Sequence, residues 1–142
     1  MSEAQAVSYF HTVNPYLVVE DPDALSRFLV NALGGSETSR FTRPDGSVMH
    51  LEVLVGDSMV MVEGAWEQFP ARTYSHFLTV EDVDAFMERA VTAGAELLEP
   101  ATDQPYGLRQ GTLGDSQGNV WWVATVVEEL DAATIASRLE VD

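Results

Sequence analysis

Three histidines, His11, His50 and His76, are the natural proton carriers and metal ligands of this 142-residue chain, which has no cysteine. Disulfides, thiolate metal sites and cysteine nucleophiles are therefore excluded. His50 and Glu52 stand two apart in a strand-like run over 47–55, so they share a face. Such a pair would bind a cation or exchange a proton; the alternative is a solvated strand face with Met49, Leu51 and Val53 turned inward. In Ser75-His76-Phe77-Leu78-Thr79-Val80, alternation puts Ser75, Phe77 and Thr79 on one face. His76 then joins Leu78 and Val80 on the other, as a core or interface histidine more than a ligand. His11 precedes the first regular element and reads as surface. Trp121-Trp122 must send one indole under the helices and the other to the opposite face, where it stacks on a planar or cationic ligand or fills space as core. In Tyr106-Gly107-Leu108-Arg109, the planar fork of Arg109 would clamp a carboxylate or phosphate, or close a surface ion pair. The chain has no glycine-rich phosphate loop, nucleophile elbow or Ser/His/Asp order; the Gly-Asp-Ser sequences at 56–58 and 114–116 read as turns.

The elements that must position these residues come as a repeat. Val19-Glu20-Asp21-Pro22-Asp23-Ala24 recurs as Val80-Glu81-Asp82-Val83-Asp84-Ala85, displaced by 61 positions. Each copy follows a strand-like run and opens a helical pattern. Asp21 and Asp82 are suited to the N-cap, and Pro22 to the first helical position. Leu25, Phe28, Leu29 and Ala32 or Leu33 form one apolar stripe, and Phe86, Met87, Ala90 and Val91 the other. Gly34-Gly35 and Gly94 supply the stops. Gly46 matches Gly107, and after one inserted residue Gly56-Asp57 matches Gly118-Asn119. The order strand, helix, three strands is thus predicted twice. The strands fall near 10–20, 37–43, 47–55, 58–64, 74–80, 96–99, 107–113 and 119–126. A helix near 130–139 follows, whose Leu130, Ile135 and Leu139 would cover an edge or a neighbouring subunit. The fold class expected is α+β: one domain over 1–142, with modules at about 9–64 and 74–127.

Seven arginines and no lysine face 23 acidic residues, a formal charge of −16. Such a surface repels phosphate backbones and anionic lipids, which argues against nucleic acid and membrane partners. No basic, apolar leader opens the sequence and no apolar run reaches membrane length, so a cytoplasmic location is expected.

Over roughly 9–127 the chain resembles the vicinal oxygen chelate superfamily, which groups glyoxalases, bleomycin resistance proteins and extradiol dioxygenases. The resemblance rests on Pro15-Tyr16-Leu17-Val18-Val19-Glu20-Asp21, Pro44-Asp45-Gly46, Met49-His50-Leu51-Glu52, Val80-Glu81-Asp82-Val83-Asp84, Ala93-Gly94-Ala95 and Asp115-Ser116-Gln117-Gly118-Asn119. Ser116 departs from the proline usual in the last motif. The resemblance implies tandem βαβββ modules, each curling a sheet into a half-open barrel, and a homodimer. In metal-dependent members an ion is held by one early residue and one final-strand residue of each module. Those positions fall here on Asn14 and Ser75, and on Val60 and Trp122. Val60 and Trp122 lack a usable lone pair, and Asn14 and Ser75 are weak neutral oxygens.

The sequence is therefore read as a metal-free, cofactor-free binding protein that sequesters a small apolar or aromatic compound, a cationic one included. The expected lining is Asn14, Tyr16, Val60, Ser75, Phe77 and Trp122, with Tyr106 and Arg109 at the mouth. The alternatives are a lyase or dioxygenase with a displaced metal on His50, Glu52 and His76, and a degenerate module kept for dimerisation or partner binding.

Overall fold

The structure, a computed structural model, describes residues 9–140. The predicted order is realised. β1 (Tyr16–Val19), helix α1 (Pro22–Arg27), β2 (Ser36–Thr42), β3 (Val48–Val55) and β4 (Ser58–Gly64) are followed by β5 (Ser75–Thr79), α2 (Val83–Thr92), β6 (Glu96–Asp103), β7 (Leu108–Gly114) and β8 (Val120–Val126). Helix α3 (Ala132–Leu139) ends the described chain. The two sheets have the same topology, β1-β4-β3-β2 and β5-β8-β7-β6, and in each the first strand runs parallel to the last. This is an α+β fold of two four-stranded sheets.

Helix starts follow the capping chemistry read from sequence. Asp21 Oδ1 accepts from Ala24 N at 3.0 Å, and Asp82 Oδ1 from Ala85 N at 3.1 Å. These bonds satisfy amides that have no partner inside the helix. α1 then widens into a π-helical stretch, Phe28–Ala32, in which Leu33 N bonds Phe28 O at 3.2 Å. Leu25, Leu29, Ala32 and Leu33 are buried, while Phe28 is half-buried. In α2, Met87 and Ala90 are buried and Phe86 is half-buried, but Val91 of the expected stripe is exposed.

Two strands differ from expectation. β1 begins at Tyr16 because a local turn occupies the preceding chain: His11 N donates to Asn14 Oδ1 and Asn14 Nδ2 to His11 O, both at 2.7 Å. β6 continues through Pro100 to Asp103, since an edge strand with a register shift between Glu99 and Thr102 tolerates a residue with no amide.

The chain forms two compact units. One runs through Tyr74 and takes in Asp115–Asn119; the other comprises Ser75–Gly114 and the chain from Val120 onward. The β7–β8 turn belongs to the first unit through Gln117 Oε1, which accepts from Asp21 N at 3.1 Å, and Asn119 Oδ1, which accepts from Tyr74 N at 2.9 Å. The first core gathers Leu17, Val19, Leu25, Leu29, Leu51, Val53 and Val62; the second gathers Val83, Leu113, Trp121 and Val123. α3 buries no residue. Leu130 lies beside Gly107, where an added Cβ would stand 3.3 Å from its Cδ1 and closer still to Glu128 O.

Candidate functional site

Strand register decides which side chains can meet a ligand. In the first sheet, Tyr16 pairs with Met61, Glu52 with Met61, and His50 with Glu63. Opposed residues point the same way, so Tyr16, His50, Glu52, Met61 and Glu63 share one face, with Phe41 and Ser39 added by β2. The other face carries Leu17, Leu51, Val53, Val60 and Val62 toward α1; a Cβ on Gly35 would meet Val53 Cγ1 and Leu29 O. Val60, expected in the lining, is therefore a core residue, 4% exposed. The β3–β4 turn is Gly56-Asp57, whereas the β7–β8 turn is 115–119, so matching the turn glycines shifts the strand register by one. A one-residue slip reverses the face. Met61, 61 positions before Trp122, is the true counterpart.

The first face is a polar–aromatic cluster. His50 Nε2 and Glu52 Oε2 are 3.0 Å apart, with side chains 18% and 17% exposed, so this is not the solvated face the alternation allowed. Ser39 Oγ donates to Glu52 at 3.2 Å. The Tyr16 and Phe41 rings lie 5.8 and 6.3 Å from the His50 ring. Met49, expected inward, is exposed. Tyr16 Oη donates to Glu63 Oε1 at 2.5 Å, and Trp66 Nε1 to Glu63 Oε2 at 2.7 Å. Burial first, then the hydrogen bond to Glu63 and the charges of Glu63 and Glu52, push the Tyr16 phenol up to about 12. Sequence reasoning missed Met61, Glu63 and Trp66. Their signal is phase: counting by two from a strand's paired partner places Met61 and Glu63 with Tyr16.

In the second sheet, Ser75 pairs with Val120, Phe77 with Trp122, and Trp122 with Thr112. Phe77 is 52% exposed and Trp122 half-buried, while Trp121 is 2% exposed. The two indoles thus divide as alternation predicts. His76 lies on the buried face, stacked on Trp121 with ring centroids 4.3 Å apart. The same face as Phe77 and Trp122 also carries half-buried Gln110, which accepts from Tyr106 Oη at 3.0 Å, and buried Thr112, which donates to Glu99 at 2.8 Å. Ser75, Phe77, Tyr106 and Trp122 are therefore brought to one side of the sheet. Arg109 is not. It shares the face of Gly111, where a Cβ would meet Met87 of α2, and it is held by Asp84 at 2.9 Å and Asp103 at 3.2 Å. The surface ion pair, not the ligand clamp, is what its position supports.

The donor set does not fit a divalent ion. Asn14 has both amide atoms engaged by His11. Met61, in the place assigned to Val60, offers a soft thioether, and Trp122 offers no lone pair. Both oxygens of Glu63 already accept hydrogen bonds. Among the described residues no three histidines or carboxylates gather as a metal-holding group. The displaced set fails likewise, since His76 packs on Trp121 away from its sheet's exposed face.

Paired βαβββ units with first and last strands parallel define a glyoxalase-like fold, and comparison with known proteins agrees. Residues 8–123 match the Glyoxalase/Bleomycin resistance protein/Dioxygenase superfamily, to which this chain belongs. It is 28% identical over 148 residues to Uncharacterized protein Rv0887c of Mycobacterium tuberculosis (strain ATCC 25618 / H37Rv), covering 96% of this chain and 87% of that protein. The crystal structure of TioX from Micromonospora sp. ML1 superposes with a TM-score of 0.72 at 27% identity, over 82% of this chain and 99% of that one. TnmS3, an antibiotic binding protein from Streptomyces sp. CB03234, shares the fold with a TM-score of 0.67 at 22% identity, over 82% and 96%.

Proposed function

We propose that this protein binds a small aromatic compound without turnover and without a metal, in the manner of a sequestering protein. The observation that carries this reading is the Phe77–Trp122 pair: two aromatic residues directly opposed on one face of the second sheet, Phe77 exposed and Trp122 half-buried. One of them occupies a position where metal-dependent relatives need a donor. Flat apolar surface left accessible to solvent is the normal signature of a ligand contact for a planar partner. Tyr16 and Met61 are the equivalent pair in the first sheet. The description of TnmS3 as an antibiotic binding protein supports the class, and the formal charge of −16 favours a ligand bearing positive charge.

The test uses the full chain in EDTA, titrated with acridine orange, a planar aromatic cation, and with acridine, its uncharged parent ring. Saturable binding of at least one is expected, and Trp122→Ala should weaken it about tenfold, the loss of one stacking surface. The variant should still unfold cooperatively, because Trp122 is only half-buried and lies opposite the core face that Trp121 fills. Affinity unchanged in Trp122→Ala would remove this face from the site.

A further inference from the structure

Glu63 is the penultimate residue of β4, and each of its carboxylate oxygens is taken by a donor from a different segment. Oε1 accepts from Tyr16 on β1 and Oε2 from Trp66 in the β4–β5 connection. That connection is tied down at two backbone points, Ala65 N to Val19 O at 2.8 Å and Arg72 N to Val18 O at 3.1 Å. Between them lies a tight turn closed by a bridge from Trp66 to Phe69, with N···O distances of 3.0 and 2.9 Å. Its two rings are 5.3 Å apart and largely in solvent, Trp66 43% and Phe69 56% exposed. Little burial holds this aromatic turn in place, so a charge-assisted bond to the sheet carries much of its orientation. The turn also walls a cleft of about 310 Å³, lined by Arg43, Met49, Glu63 and Trp66. Arg43 in turn is fixed, its guanidinium donating to Val48 O at 2.8 Å and Gly64 O at 2.9 Å.

We infer that Glu63 is a positioning residue for ligand recognition: it holds the Trp66–Phe69 turn as an aromatic wall beside the Tyr16 face. This rests on the reading that the sheet faces take an aromatic ligand. What the role draws on is the carboxylate charge: Trp66 Nε1–H can only donate, while Tyr16 Oη can donate or accept. Glutamine could still touch both, but only through neutral hydrogen bonds about half as strong as the charge-assisted pair. A cationic ligand adds a second reason, since the same carboxylate charge lies beside the aromatic wall.

The test compares the full-length wild type with Glu63→Gln and Trp66→Phe. The first readout needs no ligand: acrylamide quenching of tryptophan emission, with Trp66→Phe identifying the Trp66 component. Glu63→Gln is expected to raise quenching of that component while the melting transition stays cooperative. The second readout is acridine orange affinity by fluorescence anisotropy. Each variant should weaken it roughly tenfold, the loss of one hydrogen bond to a charged group. Trp66→Phe keeps the ring and the charge, so it separates positioning from a direct charge effect. Unchanged Trp66 quenching in Glu63→Gln overturns the inference, as does full dye affinity in both variants. If the wild type binds neither acridine orange nor acridine, the ligand reading fails, and quenching alone then decides whether Glu63 holds the turn.

Discussion

At the scale of single residues, the Tyr16 phenol is the group whose environment makes the clearest demand. It faces Glu63 and Glu52, with His50 beside it, and its pKa is raised from 10.0 to about 12. A proton held more tightly in the folded state stabilises that state below the unfolded value, and the contribution disappears as pH rises through the folded one. The stability difference between wild type and Tyr16→Phe, from urea melts, should be constant up to pH 10 and fall away by about pH 12. A difference that grows with alkalinity would contradict the Tyr16–Glu63 bond. Arg109 makes the opposite kind of demand. Its partners Asp84 and Asp103 are exposed, so Arg109→Ala should leave the melting temperature close to wild type and the acridine orange affinity intact. Most of the candidate face was legible from residue types and alternation: Trp121 divided from Trp122, and Phe77 from His76, as expected. Val60 was misplaced because the two hairpin turns differ in length, which hides the strand register behind matching glycines. Glu63 and Trp66 were illegible as a pair, since nothing in a sequence shows that a connection folds back onto the strand before it.

At the scale of elements, the repeat made both helices and all eight strands readable, because capping aspartates and period-two alternation act locally. What local signals do not carry is how far an edge strand runs or where a helix widens. The strand expected over 96–99 ends before Pro100, yet the β6 edge lets that proline stay within the strand. No feature of the periodicity marks the Phe28–Ala32 widening. Two elements offer direct checks. Asp82→Ala removes the α2 cap and should lower stability by about 1 kcal/mol in a denaturant titration. Gly64 ends β4 where a Cβ would run into Val48 O and stand 3.0 Å from Arg43 Nη1. Backbone cannot yield as a flexible side chain does, so Gly64→Ala should destabilise by about 1–3 kcal/mol. A melting temperature equal to wild type would mean that β3 and β4 sit further apart there.

At the scale of the whole molecule, a charge of −16 sets the partners the protein can approach. Self-repulsion of this size destabilises the compact state, and salt screens it. Among the described residues no helix is long and apolar enough to cross a membrane. The same charge attracts cations over long range, which is why an aromatic cation is the probe of choice. Isothermal titration of the full chain with acridine orange in EDTA, beside Trp122→Ala, should show saturable binding that withstands the chelator and weakens in the variant. Binding that appears only when a divalent metal is restored, or that ignores the loss of the indole, would contradict metal-free binding at Trp122.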